Sequence, residues 1–117
     1  MSSFTPGPWG VETLRTSCGV CHKIGPWTHK WRAGETMSAC VYDDYPSPPE
    51  GTDTMLANAR LIAAAPEILA ALLDVRALIS EAAQTGFNWK DGDWTERLYA
   101  SQQVTSAAIA KALGDAR

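Results

Sequence analysis

The segment Ala57-Asn58-Ala59-Arg60-Leu61-Ile62-Ala63-Ala64-Ala65-Pro66-Glu67-Ile68-Leu69 constrains the fold more than any other part of this chain. Alanine and leucine favour helix, but Pro66 lacks an amide hydrogen and disfavours helical geometry at Ala65. A helix must therefore bend or restart here, with Pro66 opening the next one. The small side chains on either arm let a neighbour approach closely. The segment divides the chain into a β-rich front and a helical back.

In the front part, residues 5–44, Gly, Pro, Trp, Thr and Val predominate without a sustained three-to-four spacing of apolar residues, which predicts short strands. Trp9 to Leu14 alternates large apolar with small or polar side chains, and Pro6 and Pro8 mark where that strand can begin. A second strand is expected over Val20 to Ile24, after a turn at Ser17 to Gly19. A third is expected from Met37 to Tyr42, with Met37, Ala39 and Val41 on one face and Ser38, Cys40 and Tyr42 on the other. The connections are too short for crossover helices, so the sheet should be antiparallel.

Residues 45–53 contain three prolines and read as a linker to the helical part, residues 54–114. Thr52 or Asp53 can cap a helix starting near Thr54, and Leu56, Ala59, Ile62 and Ala63 form its apolar stripe. After Pro66, the positions Ile68, Leu69, Leu72, Val75, Leu78, Ile79 and Ala82 recur at helical spacing up to about Gln84, and Gly86 is a natural stop. Asp93-Trp94-Thr95-Glu96 has capping-box spacing for a last helix to about Leu113, whose stripe of Leu98, Ser101, Thr105, Ala108, Ile109 and Ala112 is mostly small. The expected fold class is α+β: a small N-terminal antiparallel sheet packed on a C-terminal helical hairpin, within one domain spanning 1–117.

Composition narrows function mainly by exclusion. A chain of 117 residues, 45% hydrophobic and 20% charged, suits one soluble domain, and a net charge of −3 offers no general attraction to duplex nucleic acid or an anionic membrane. The longest apolar stretch is broken by Asn58, Arg60, Pro66 and Glu67, which excludes a conventional membrane span. The start, Met1-Ser2-Ser3-Phe4-Thr5-Pro6, lacks a basic region followed by an apolar run, so the cytoplasm is the expected location. Three cysteines, an odd number, argue against a complete disulfide framework.

Several residues could carry chemistry. Cys18-Gly19-Val20-Cys21-His22 formally matches a haem-attachment pattern, although a hairpin is a poor haem pocket. The same cysteines have zinc-knuckle spacing, with His22, His29 and Cys40 as further ligands, but there is only one close pair; inert thiols on strands and turns are the favoured reading. Asp43 and Asp44 point to opposite sides of a strand and read as a solvated strand end, and no nucleophilic triad assembles from the sequence. An enzyme is not expected. Two aromatic and basic clusters are more suggestive: Trp27, Lys30, Trp31 and Arg32, and Phe87, Trp89, Lys90, Trp94 and Arg97. Rings can stack on a base while Arg or Lys bonds a phosphate, although closing a small core is the commoner use of tryptophan. The ligand-binding candidates are Asn58, Arg60, Phe87, Trp89, Lys90 and Arg97.

Thr5-Pro6-Gly7-Pro8-Trp9, a short β-rich region, and then Asn58-Ala59-Arg60-Leu61-Ile62-Ala63-Ala64-Ala65-Pro66-Glu67-Ile68-Leu69-Ala70-Ala71-Leu72 resemble small accessory proteins encoded by bacteriophages and prophages. The broad plan is also similar to the first family of Thoeris anti-defence proteins. That resemblance implies a homo-oligomeric sponge that binds cyclic ADP-ribose isomers, or in some members cyclic oligonucleotides, without cleaving them. No ligand-contacting residue of that family transfers by position to this chain. The expectation is a non-enzymatic phage accessory protein that sequesters a nucleotide-derived immune signal as a homo-oligomer. It would need no cofactor and would engage neither membrane nor duplex nucleic acid. The alternatives are a protein-binding inhibitor of a host factor and a small zinc-stabilised phage protein.

Overall fold

A computed structural model describes residues 4–25, 39–44, 46, 48–49, 51–86 and 92–114. Three strands, β1 (Gly10–Thr16), β2 (Gly19–Gly25) and β3 (Ala39–Asp44), form an antiparallel sheet in the order β1-β2-β3. Three helices follow: α1 (Asp53–Ala63), α2 (Ala65–Thr85) and α3 (Gly92–Leu113). The fold is therefore α+β, as the change of periodicity predicts. Each strand boundary lies one or two residues from its predicted limit. Trp9 precedes β1 rather than opening it, and its indole Nε1 donates to the Thr5 carbonyl at 3.0 Å. Of the third strand's predicted faces, Met37 and Ser38 fall outside the described residues.

Strand alternation sends Val20, His22 and Ile24 of β2 to the inner face, where all three are fully buried. Against them lies α1, the only helix that reaches the strands among the described residues. Ala59 and Ala63, one helical turn apart, meet Ile24 in the core, with Trp9, Val11, Ala39 and Val41 packed around them. Alanine at these positions lets the helix backbone come down onto the sheet. Replacing Ala59, which is fully buried, by leucine should overpack this contact and cost about 1–3 kcal/mol, read as a lower urea midpoint. The same change at exposed Ala57 should leave the midpoint nearly unchanged.

Thr52 is the N-cap of α1, its hydroxyl accepting from the Met55 amide at 3.3 Å. At the other end the chain turns at Ala64, and α2 starts at Ala65 with Pro66 in its first turn. The proline has no hydrogen to give to a carbonyl of α1, so one continuous helix becomes two. A Cβ on Gly7 would lie 2.9 Å from Pro66 Cβ, which shows how closely the N-terminal Thr-Pro-Gly-Pro-Trp segment seats on this bend. Gly86 (φ +79°) closes α2, its amide bonding the Ala82 carbonyl. Helix α3 then returns along both α2 and α1. Its predicted cap, Asp93, lies inside the first turn instead, because the helix already begins at Gly92.

Candidate functional site

The most developed polar site lies between sheet and helix, around His22. Thr13 stands directly opposite His22 across β1 and β2, and Asp43 lies diagonally from it on β3. Both imidazole nitrogens are engaged: Nδ1 with Thr13 Oγ1 at 2.9 Å and Nε2 with Asp43 Oδ2 at 3.2 Å. Since an ionised carboxylate only accepts, Nε2 carries the hydrogen that points at Asp43. A neutral ring then receives the Thr13 hydroxyl hydrogen at Nδ1.

Asp43 in turn holds the start of α1. Its Oδ2 accepts from the Thr52 amide at 3.0 Å and its Oδ1 from the Thr52 hydroxyl at 2.9 Å. Burial acts to raise the Asp43 carboxyl, but hydrogen bonds from the Thr52 amide, the Thr52 hydroxyl and His22 outweigh it and hold the group below the usual carboxylate range. One polar chain therefore runs from Thr13 through His22 and Asp43 to the helix cap. Gly51 (φ +83°) covers it: an added Cβ would come within 2.6 Å of His22 Nε2 and 2.7 Å of Asp43 Oδ2.

These positions correct two expectations. Asp43 is buried at 6% exposure, not a solvated strand end, whereas Asp44 does face solvent as the alternation requires. A hydroxyl, imidazole and carboxylate in series also exist, although no such series is apparent from the linear sequence. The signal was available in part: extending the face of Ala39 and Val41 by two residues reaches Asp43.

The cysteine pattern is dispersed by the same alternation. Cys21 and Cys40 pair as a disulfide across β2 and β3, with Cα atoms 6.2 Å apart, so they are not the separate inert thiols expected. His22 points to the inner face and Cys18 lies exposed in the turn, so the Cys18-Cys21-His22 triplet does not converge. Among the described residues no group of three metal-ligating side chains could hold an ion. His29 lies outside them.

The proposed ligand-binding residues are widely spread. Among the described residues, exposed Asn58 reaches only Met55 Sδ on its own helix, at 3.9 Å. Arg60 extends to the C-terminal end of α3, where a Cβ on Gly114 would lie 2.9 Å from the guanidinium Nη1, a favourable place for a cation at a helix end. Arg97 is near the other end of α3. Its Nη2 bonds Glu81 Oε2 at 2.7 Å, and its guanidinium carbon sits 4.8 Å from the Trp94 ring centroid. The hydrogen bond from Arg97 holds Glu81 below the usual carboxylate range and raises the guanidinium. Arg97 also lines a cavity of about 190 Å³ with Asp74, Leu78, Ser101 and Val104. Phe87, Trp89, Lys90 and the cluster Trp27, Lys30, Trp31 and Arg32 lie outside the described residues.

No helix among the described residues is long and apolar enough to cross a membrane. The geometry defines a small α+β protein in which a buried polar relay fastens the first helix to a three-stranded sheet. A family model described as Salmonella phage P22 protein Y8K6 matches residues 1–116, and the chain belongs to that phage protein family. No curated protein and no solved structure matches it.

Proposed function

We propose that this phage protein acts by binding rather than by catalysis, sequestering a small nucleotide-derived signal of the cyclic nucleotide or cyclic ADP-ribose type between copies of itself. The observation that carries this reading is the Trp94-Arg97 pair beside a cavity on the helical hairpin. Arg97 and the Ser101 hydroxyl line the cavity, groups suited to phosphate and ribose, while Trp94, buried at 6% exposure, lies against the guanidinium. The cavity, about 190 Å³, is smaller than the roughly 300 Å³ at which small-molecule sites begin. Arg60 and Arg97 meet opposite ends of α3, about 25 Å apart at 1.5 Å per residue. Both can serve one ligand only if two protomers contribute.

The Thr13-His22-Asp43 series favours a non-catalytic reading. In a hydrolase the imidazole must face the substrate while it moves a proton. Here the ring is fully buried beneath Gly51, and Asp43 is committed to the helix cap. The series acts as a structural tie.

The test is incubation of purified protein with cyclic ADP-ribose isomers and with cyclic di- and trinucleotides, followed by gel filtration and heating. At least one ligand should co-elute and be released unchanged, as identified by mass spectrometry. Retention of none, or release of a cleaved product, would overturn the proposal.

A further inference from the structure

Helix α2 is apolar over more of its circumference than one neighbour can cover. Ala71 and Leu78 are buried in the hairpin, yet beside them Ile68, Leu72, Val75 and Ile79 form a second stripe at 4-3-4 spacing. Leu72 and Ile79 in that stripe are 62% and 64% exposed. On α3 the matching edge carries Ile109, 53% exposed, and Leu113, 72% exposed. Between the helices runs a groove of about 330 Å³, lined on α2 by Ile68, Leu72 and Val75 and on α3 by Thr105, Ala108 and Ile109. No charged side chain lines it, so covering it desolvates no ion.

Among the described residues the stripe is open: Leu72, Ile79 and Leu113 are, with Tyr99, the most exposed of the large apolar side chains.

We infer that the open face of the α2-α3 hairpin is the site where a second copy of this chain docks, closing a four-helix bundle across a two-fold axis. The face is self-complementary in form. Leu72, Ile79 and Ile109 stand up as ridges, and Ala71, Thr105 and Ala108 leave the furrow that ridges of an identical face enter. A partner of the same length also matches the 21 residues of α2, about 30 Å of continuous helix. This interface specifies the assembly that the ligand proposal assumes, but it rests on the apolar surface alone and is tested without ligand.

The experiment is light scattering coupled to gel filtration on the full chain at ~100 μM, within reach of even a weak micromolar dimer. Wild type should show at least twice the 12.6 kDa monomer mass. Leu72→Glu and Ile109→Glu should each shift the mass to that of one chain, with far-ultraviolet circular dichroism unchanged. Leu14→Glu, on the outer face of the sheet where Leu14 is 40% exposed, should leave the assembly intact. If a glutamate variant does not fold, the double variant Leu72→Ala Ile109→Ala gives the same reading through weakened association on dilution. A monomeric wild type, or an assembly dissolved by Leu14→Glu and not by the hairpin variants, overturns the inference. A wild-type dimer that retains no cyclic nucleotide removes the ligand proposal and leaves this one standing.

Discussion

Gly51→Ala is expected to lower the melting temperature by roughly 10–20 °C, about twice the loss from Gly86→Ala. Both glycines have a positive φ, +83° and +79°, so each alanine meets backbone strain on the order of 1–3 kcal/mol. Their surroundings differ. Around Gly86 nothing lies within 4 Å of the added Cβ, and at Gly51 the methyl would strike His22 Nε2 and Asp43 Oδ2 at 2.6 and 2.7 Å. Those atoms belong to buried side chains held by hydrogen bonds, so they cannot swing aside as a surface side chain would. Displacing them adds overpacking of about 1–3 kcal/mol and loosens the Thr52 cap. Thermal unfolding of the two variants checks this, and equal losses would mean that the cover over the relay is slack.

The same contrast shows which parts of the fold were legible in the sequence. Gly86, Pro66 and Thr52 act through their own backbone or the next helical turn, and the structure places the stop, the bend and the cap where local chemistry requires them. The α+β division follows from the change of apolar period on either side of the proline-rich stretch. The relay is different in kind. His22 carries a partial local signal, because it alternates with Val20 and Ile24 and must share their inner face. Its partners sit 9 residues before it and 21 after it, so finding them requires the strand register, which depends on long-range packing. Adjacent Asp43 and Asp44 show the limit clearly. Alternation requires them to face opposite ways, but only the pairing of β3 with β2 decides that Asp43 faces inward. The cysteine pattern failed for a related reason: close spacing in sequence suits a metal knuckle in a loop, but consecutive residues of a strand diverge.

The layer formed by α1 and the sheet also brings together the N-terminal segment and the alanine-rich helix, which lie far apart in sequence. Trp9 and Ala59 belong to one core, and Gly7 seats on Pro66. The N-terminal segment thus closes the same layer that the alanine-rich helix opens. Polar and apolar ties converge on α1, and the hairpin of α2 and α3 projects from it with an apolar face uncovered.

Asp43→Asn should lower stability at neutral pH and, in the same measurement, flatten its dependence on acid. In the folded protein the Asp43 carboxyl titrates below its ordinary value, because the Thr52 and His22 hydrogen bonds outweigh burial. An unfolded chain therefore binds this proton first as the pH falls, near the usual aspartate value of about 3.9. The stabilising contribution is fully present above that value and is lost as the pH falls through the lower, folded value. Asparagine has no charge to lose, and its amide nitrogen sets a donor against either the Thr52 hydroxyl or His22 Nε2, so the variant begins weaker and changes less. Glu81, lowered by its bond to Arg97, titrates in the same direction and accounts for part of the acid slope that remains. Melting curves of both proteins from pH 7 to pH 3 should converge as the pH falls. Parallel curves would place Asp43 outside the acid transition and reduce its role to that of a neutral hydrogen-bond acceptor for the cap.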